Sequence, residues 1–531
     1  MSLPTNAYDA AVAASVNNQQ LVPGASVLPR KGLIMGTYLP ANTGITNYTP
    51  ALVTSPAQAG ATYGFGSMIH RMVIAFFAGM ATAGNQIPLY VSPDSETNIS
   101  GAAAATGTLT ITVSSPLGGT YALYIDNIPY LVPIPASPTP TPTSIAAAVS
   151  AAVNADPNCP VTSAPVAGVI TFTAKSKGLW GNYITLALNL GASDASISGV
   201  TSVFVAMTSG AGTNSVSVTA ALAALGSNDG ANAAGFTDIV HGYHQDQAVI
   251  TLIGTYGGLG NTAGGLYSAT VHKPFRCLGG DTVAGSTGFT NLQALSLANN
   301  QDRTNGIVWA PGSMTHPEEI AANAMGYMAS INSVRAEQMY VGAILAGVDP
   351  GNVAAAAGTR LTDVKANRTL AVASGISPTQ AQGGYLTLLN VITFYNPTNV
   401  PATSNGYREM RNISILQNIL YNVWLNFAQP KWQGCSIVKD TKAVTDSTSR
   451  QKARSLDDVR DDWVGLVTSF YGHAWIYSTD VPFAALASTT QPAITIRPAG
   501  DGFTAQVPMI LSGIGNVLDN GVTFDIAIPT S

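Results

Sequence analysis

Gly32-Leu-Ile-Met-Gly-Thr-Tyr38, Ser67-Met-Ile-His-Arg-Met-Val-Ile-Ala-Phe-Phe-Ala-Gly-Met80 and Ile87-Pro-Leu-Tyr-Val91, read in order, decide the fold class. The run Leu33-Ile34-Met35 in the first has the unbroken apolar pattern of a buried strand. In the second, Met68, Arg71-Met72 and Ala75-Phe76 recur at helical spacing, and the third is again a strand. Strand, helix, strand is a βαβ-like beginning. Upstream, residues 1–29 carry no basic residue. They hold a polar patch at Asn17-Asn-Gln-Gln20 and then Leu21-Val-Pro-Gly24 and Leu28-Pro29, and prolines at that spacing predict an extended arm.

Downstream the composition shifts, because between Asn98 and Met207 the only charges are Asp126, Asp156, Lys175, Lys177 and Asp194. Alternating runs at Gly107–Val113, Tyr121–Ile125 and Val169–Thr173 predict half-buried strands. Between them a helix is expected from Ile145 to Ala155, capped by Ser144 and stopped by Asp156-Pro157-Asn158, with Pro133–Thr143 as a loop. After Gly210 the α/β pattern returns. Helices are expected at Thr219–Leu225, Asn291–Asn300 and Glu318–Glu337, the last opened by Pro317 and bearing a small-residue face of Ala321, Ala322, Ala324 and Gly326. Strands are expected at Asp238–Val240, Ile307–Trp309 and Met339–Ile344. Two amphipathic helices follow at Arg411–Phe427 and Ser455–Phe470, then strands at Ala493–Ile496, Gln506-Val507 and Val522–Ile528. The reading is a multidomain α/β (α+β) chain. It comprises an arm (1–29), a mixed-sheet core with flanking helices in two parts (30–97 and 208–489), an inserted β-rich domain with one helix (98–207), and C-terminal strands forming a second arm (490–531).

The chain has 531 residues, 22 Lys+Arg against 27 Asp+Glu, a formal net charge of -5 and only 9% charged residues. Average globular chains carry roughly 25%, yet 46% hydrophobic residues leave ample material for a core. At roughly 100–200 residues per domain the length suggests two to four domains. Mild acidity, with no basic cluster longer than Arg30-Lys31, argues against a nucleic-acid partner. The apolar stretch Met72–Ala81 is interrupted upstream by His70 and Arg71 and is too short to span a bilayer. Asp9, and no basic residue before Arg30, argue against a signal peptide. Cys159, Cys277 and Cys435 are too few and too dispersed for a disulfide framework or a zinc site and read as reduced, buried small hydrophobes. A neutral surface of this kind suits a subunit that hides it by polymerising; a bland exposed coat is the competing account.

No nucleophile elbow, Walker loop, zincin helix or EF-hand loop is present. Gly257–Gly265 lacks dinucleotide spacing and reads as a loop. His241, His244 and Asp246 would place two imidazoles and a carboxylate on one loop for a metal, but no further Cys or His approaches in sequence, and they read as loop polar residues. Asp457, Asp458, Asp461 and Asp462 read as a solvated helix face with pairs Arg454–Asp458 and Asp457–Arg460. In so ion-poor a chain that helix is also a plausible interface for a partner of complementary charge. Catalytic, cofactor-binding and metal-binding residues are all expected to be absent.

Several segments resemble the tail sheath subunit of Mu-like contractile-tailed bacteriophages. Pro29-Arg-Lys-Gly-Leu-Ile-Met-Gly36 looks like that family's first core strand and Phe65-Gly-Ser-Met-Ile-His-Arg-Met72 its first helix. Ser144–Asp156, Cys159-Pro-Val-Thr162, Phe172-Thr-Ala-Lys175 and Gly178-Leu-Trp-Gly-Asn182 are similar to its helix–loop–strand pattern, the most specific match. Leu361–Ser377 and Gly384–Tyr395 look like its segments before the C-terminal part. The resemblance implies a non-enzymatic virion protein without cofactors, assembled in the host cytoplasm. Stacked hexameric rings of it would surround a tail tube and contract to drive the tube through the host envelope when a baseplate triggers them. It further implies a core near the tube, an outward insertion and termini that add strands to neighbours. The implied partners are further copies of the chain, the tube protein, and baseplate and tail terminator proteins, with no direct nucleic-acid binding and no membrane insertion. A bacterial surface or adhesive protein is the alternative, since Thr/Ala/Gly-rich β domains occur there too. An enzyme comes third.

Overall fold

The computed structural model describes residues 25–191, 193–226, 235–243, 246–257, 265–266, 273–351, 361–396, 406–487, 494–496, 503–505 and 507–512. It forms two compact units, Val27–Tyr421 and the described residues of Asn422–Ser531 with Ala25 and Ser26. Each is built differently.

The Val27–Tyr421 unit is organised by a nine-stranded mixed sheet. Strands Leu89–Ser95, Gly32–Tyr38, Asp238–His241, Arg276–Asp281, Asn305–Trp309 and Ser377–Gln382 run parallel side by side. Antiparallel edges close it, Ala51–Val53 on one side and Tyr385–Leu388 with Ile344–Leu345 on the other. Because successive side chains alternate between faces, Ile34, Val240, Leu278 and Val308 join Met72, Phe76, Ile320, Ala324 and Met328 of helices Met68–Ala83 and Pro317–Asn332. Leu33, Met35, Ile239 and Cys277 point the other way, to Val218, Leu222, Val249 and Ile253 of helices Asn214–Leu225 and Gln247–Gly257. Ile307 and Trp309 meet Phe289, Leu292 and Ala371 on that side. Both faces are covered, which is why the central strands read as unbroken apolar runs.

Residues 106–208 form two antiparallel sheets. Val200–Thr208, Thr106–Val113, Val169–Ala174 and Val161–Val166 make one of four strands; Leu186–Leu188, Gly119–Ile125 and Ile128–Ile134 make one of three. Helix Pro142–Ala155 lays Ile145, Val149 and Val153 on Tyr130, Val132, Val161 and Phe172. The apolar cluster runs without a break from these residues into the nine-stranded sheet.

The other unit is mostly helical. Helix Leu456–Gly472 buries Val459, Trp463, Leu466, Val467 and Phe470. Helix Asp480–Ala487 and the strand pairs Ser436–Ile437 with Ala453–Arg454 and Ile494–Ile496 with Phe503–Ala505 complete its described part. Helix Met410–Phe427 carries the chain from one unit into the other.

Several expectations are corrected. Met339–Ile344 is not a strand. Only Ile344–Leu345 pairs, because Gly342 takes φ +78°, which an extended strand does not accommodate. The helix expected to reach Glu337 stops at Asn332, whose amide donates to the carbonyls of Arg335 (2.9 Å) and Ala336 (3.3 Å) and so turns the chain. Thr141, not Ser144, caps the inserted helix: Pro142 fills its first position, and Thr141 and Ser144 form a reciprocal capping box. The Pro133–Thr143 loop shrinks accordingly, since Pro133 and Ile134 end an edge strand, where proline is tolerated. Of the strand expected at Gln506-Val507, Gln506 lies outside the described residues and Val507 is in no strand, while Phe503–Ala505 forms one. Val522–Ile528 and Leu21–Gly24 lie outside the described residues. No helix among the described residues is long and apolar enough to cross a membrane.

Candidate assembly site

His241 ends its strand fully buried, while Asp246 accepts from the Val249 N–H at 2.7 Å and so serves the start of helix Gln247–Gly257. His244 and Gly258–Gly264 lie outside the described residues. Among the described residues no group of three or more His, Cys, Asp and Glu is placed to hold a metal. Cys159 and Cys277 are buried free thiols; Cys435 is only half-buried, a correction to its reading as core.

The acidic helix divides its carboxylates among three roles. Asp457 pairs with Arg460 at 2.8 Å in the open, as expected. Asp458 does not pair with Arg454. It accepts from the Ser455 N–H at 2.6 Å while Ser455 Oγ accepts from the Asp458 N–H at 3.3 Å, a capping box that uses up the carboxylate. Arg454 turns to the carbonyls of Gln451 and Ala453 instead. Asp462 is buried, receiving Lys431 Nζ at 2.7 Å, Trp432 Nε1 at 2.8 Å and Asn426 Nδ2 at 2.9 Å. Only Asp457 and Asp461 face solvent, in line with Val464, Thr468 and Tyr471 at i, i+4, i+7, i+11 and i+14. That exposed stripe is acidic at its amino end and apolar at its carboxyl end. Tyr477, 70% exposed, adds a further aromatic to the unit's surface.

Beside this helix, Ala25 N–H donates to Ser469 Oγ (2.6 Å), His473 Nε2 meets the Ala25 carbonyl (3.0 Å), and Ser26 N–H donates to Asn422 Oδ1 (2.7 Å). In the larger unit Leu28 is buried, with its N–H on Asn418 Oδ1 at 2.7 Å. The last residues of the expected N-terminal arm are thus tied down within their own chain.

A buried charge cluster, which the sequence did not single out, sits at the amino ends of the parallel strands. Register sets Gly32, Asp238 and Arg276 side by side. Asp238 Oδ2 faces Arg30 Nη1 at 3.2 Å, and its Oδ1 takes Arg276 Nε at 2.7 Å. Arg30 continues to Gln417 (3.0 Å) and Ser414, and Arg276 to Asn332 (2.9 Å) and Tyr340 (2.6 Å). Burial pushes the Asp238 carboxyl up, but Arg276 and Arg30 outweigh it and hold the group below its ordinary value. Burial draws Arg30 down to about 10 despite Asp238. The signal available in advance was partial: Arg30-Lys31 directly before and Asp238 at the start of apolar runs, in a chain with few charges.

Among the described residues the longest edge strand is Val200–Thr208, which has no proline and carries Val203 and Val205 outward. The opposite edge strand carries Pro165, and the edge of the neighbouring sheet carries Pro129 and Pro133, which cannot donate to an added strand.

No protein-family model matches the chain. It is 30% identical over 196 residues to the Mu-like prophage FluMu tail sheath protein of Haemophilus influenzae, a match covering 37% of this chain and 38% of that protein. Among solved structures it aligns with a sheath tail protein from Desulfitobacterium hafniense at a TM-score of 0.40 and 12% identity, covering 88% of this chain and 91% of that one. A sheath tail protein from Listeria innocua aligns at 0.38 and 9%, covering 93% and 95%. The sequence similarity is thus to the Mu-like prophage tail sheath protein, over well under half of either chain.

Proposed function

We propose that the protein is the structural subunit of a contractile phage tail sheath, a virion component assembled in the host cytoplasm and without enzymatic activity. It would polymerise as stacked hexameric rings around a tail tube and shorten against a baseplate, driving the tube through the host envelope. The sequence relationship to the Haemophilus influenzae sheath protein carries this reading. Low charge supports it, since a lattice of many weak, complementary contacts leaves little surface in need of ions. Negative-stain microscopy of purified full-length protein is the test. Long hollow cylinders are expected, and monodisperse monomers across salt and concentration would overturn it.

Within that reading the termini link subunits. Val522, Phe524, Ile526 and Ile528 alternate along the last segment, and four such side chains offer at most about 6–12 kcal/mol on burial. That is comparable with the roughly 4–15 kcal/mol association cost, so one strand is marginal and linkage from two neighbours is needed. Deleting 518–531, or residues 1–24 and so sparing Ala25 and Leu28, is expected to leave folded protein that forms no long cylinders. Normal sheaths from either truncation refute the linking role. The stripe Asp457–Asp461–Val464–Tyr471 is the proposed contact for a tube or neighbouring subunit. Asp457→Asn with Asp461→Asn should change assembly and its salt dependence.

A further inference from the structure

The inserted strands meet the core at a charged, buried junction. Helix Pro317–Asn332 opens against it with Glu318 and Glu319, and His316 precedes that helix. His316 Nε2 faces the Trp180 carbonyl at 2.9 Å and its Nδ1 faces Glu318 Oε2 at 2.9 Å. Acceptors on both sides of the ring favour its imidazolium form; at Nδ1 the contact is a close ion pair and not an aligned hydrogen bond. Trp180 stacks on it with ring centroids 4.4 Å apart. Arg71 of helix Met68–Ala83 grips Glu319 through two bonds of 2.7 Å.

Into this group reaches the turn Asp126-Asn127, which joins strands Gly119–Ile125 and Ile128–Ile134. Its φ values of +46° and +64° are those of a tight two-residue hairpin. Asp126 Oδ1 accepts from the Thr185 N–H at 3.0 Å, and Thr185 Oγ1 donates to the Met314 carbonyl at 2.5 Å. Asp126 Oδ2 is buried without a hydrogen bond and feels the fields of His316, Glu319 and Arg71. Tyr183 lies edge-on to His316 and feels Glu318 and, farther away, Asp281 and Asp246. Besides the continuous apolar cluster and bonds such as Met68 N–H to Ser176 Oγ (3.0 Å), the chain enters and leaves the inserted strands through a short bulged ribbon, Ser100–Ala103 with Ala211–Thr213, in which Gly101 and Gly212 take φ of +70° and +152°. Glycine adopts those angles without the strain another residue would carry.

We propose that Asp126, Trp180 and Thr185 form a charge-controlled latch on His316 and Met314, which loosens as pH rises and lets the inserted strands shift on the core about the Ser100–Ala103/Ala211–Thr213 ribbon. The proposal does not depend on sheath assembly. With His316 charged, Arg71 and His316 face Asp126, Glu318 and Glu319; with it neutral, one cation is left among three carboxyl groups. Burial would lower His316, but Glu318 and Asp126 overcome this and raise it to about 9, while burial pushes Asp126 above the ordinary carboxylate range. Both groups bind protons more tightly when seated. Asp126 therefore favours the closed latch fully below about pH 4 and loses that contribution upward, and His316 does so below about pH 6.5 and loses it as pH rises through about 9.

Hydrogen exchange on the full chain at pH 6 and pH 9.5, corrected for intrinsic rates, tests this. Protection of 119–134 and 179–186 should fall about tenfold or more at the higher pH, while 32–38 and 276–281 hold theirs. Trp180 emission, taken as wild type minus Trp180→Phe, should rise over the same range as the quenching imidazolium is lost. In His316→Gln the emission step should vanish and the protection step should shrink to the part that Asp126 carries; if that variant does not fold, the wild-type comparison decides alone. Protection that ignores pH, or that falls equally in the central strands, overturns the latch.

Discussion

Two histidines and two aspartates of this chain show how far environment overrides residue type. His70 accepts from the Gly66 N–H at 3.0 Å through Nδ1, so it must be neutral on that side, and burial with Arg71 and Lys175 nearby lowers it to about 4. Its folded value lies below the unfolded one, so its contribution to stability is full above about pH 6.5 and is lost as pH falls toward 4, opposite in sign to His316. His70→Asn should flatten the acid limb of urea midpoints measured between pH 7 and pH 4. Asp238 stands between two buried guanidinium groups. Asp238→Asn leaves them facing each other uncompensated and should cost about 3–5 kcal/mol in urea unfolding. Asp462→Ala strands Trp432 Nε1 and Lys431 and should lower the thermal midpoint, whereas Asp461→Asn on the same helix should leave it unchanged.

Among the elements, helices Met68–Ala83 and Pro317–Asn332 cross in close backbone contact. A Cβ on Gly79 would sit 2.0 Å from the Asn323 carbonyl oxygen, and one on Gly326 2.2 Å from that of Phe76. Both obstacles are backbone, so neither yields without moving a helix. Gly326→Ala should therefore destabilise by about 1–3 kcal/mol despite alanine's better helix propensity, and calorimetry checks this. The expected small-residue face of that helix thus has a concrete use. The acidic helix shows the limit of helical periodicity. It put Asp457, Asp458, Asp461 and Asp462 largely off the apolar face, yet Asp462 is buried, because Trp432 and Asn426 offer it donors that no spacing within the helix reveals.

In the molecule as a whole, residues 104–210 leave and re-enter the core at adjacent points, with Ala103 paired to Ala211. Joining Ala103 to Ala211 through a short Gly-Ser linker is expected to leave a folded sheet-and-helix core that still polymerises. An insoluble product would show that the continuous apolar cluster makes the inserted strands part of the core rather than a separate domain.

Elements whose signal is local could be read in the chain alone. The strands Gly32–Tyr38, Asp238–His241 and Asn305–Trp309, the helices Met68–Ala83 and Met410–Phe427, and the alternating strand Thr106–Val113 all announce themselves through runs or periods of apolar residues. The mixed α/β class followed from them, and the resemblance to sheath proteins from the quoted motifs. Arg276-Cys-Leu-Gly-Gly-Asp281 carries no such signal, and becomes a central strand because the neighbours Asp238–His241 and Asn305–Trp309 supply its hydrogen bonds while helices on either side cover Leu278 and Cys277. The pairing of Asp238 with two arginines, of Asp126 with His316, and of Gly79 with a backbone carbonyl joins residues far apart in sequence. Local chemistry sets which element a segment can form. Burial beside distant partners, which exists only once the sheet has closed, decides which charges survive in the interior.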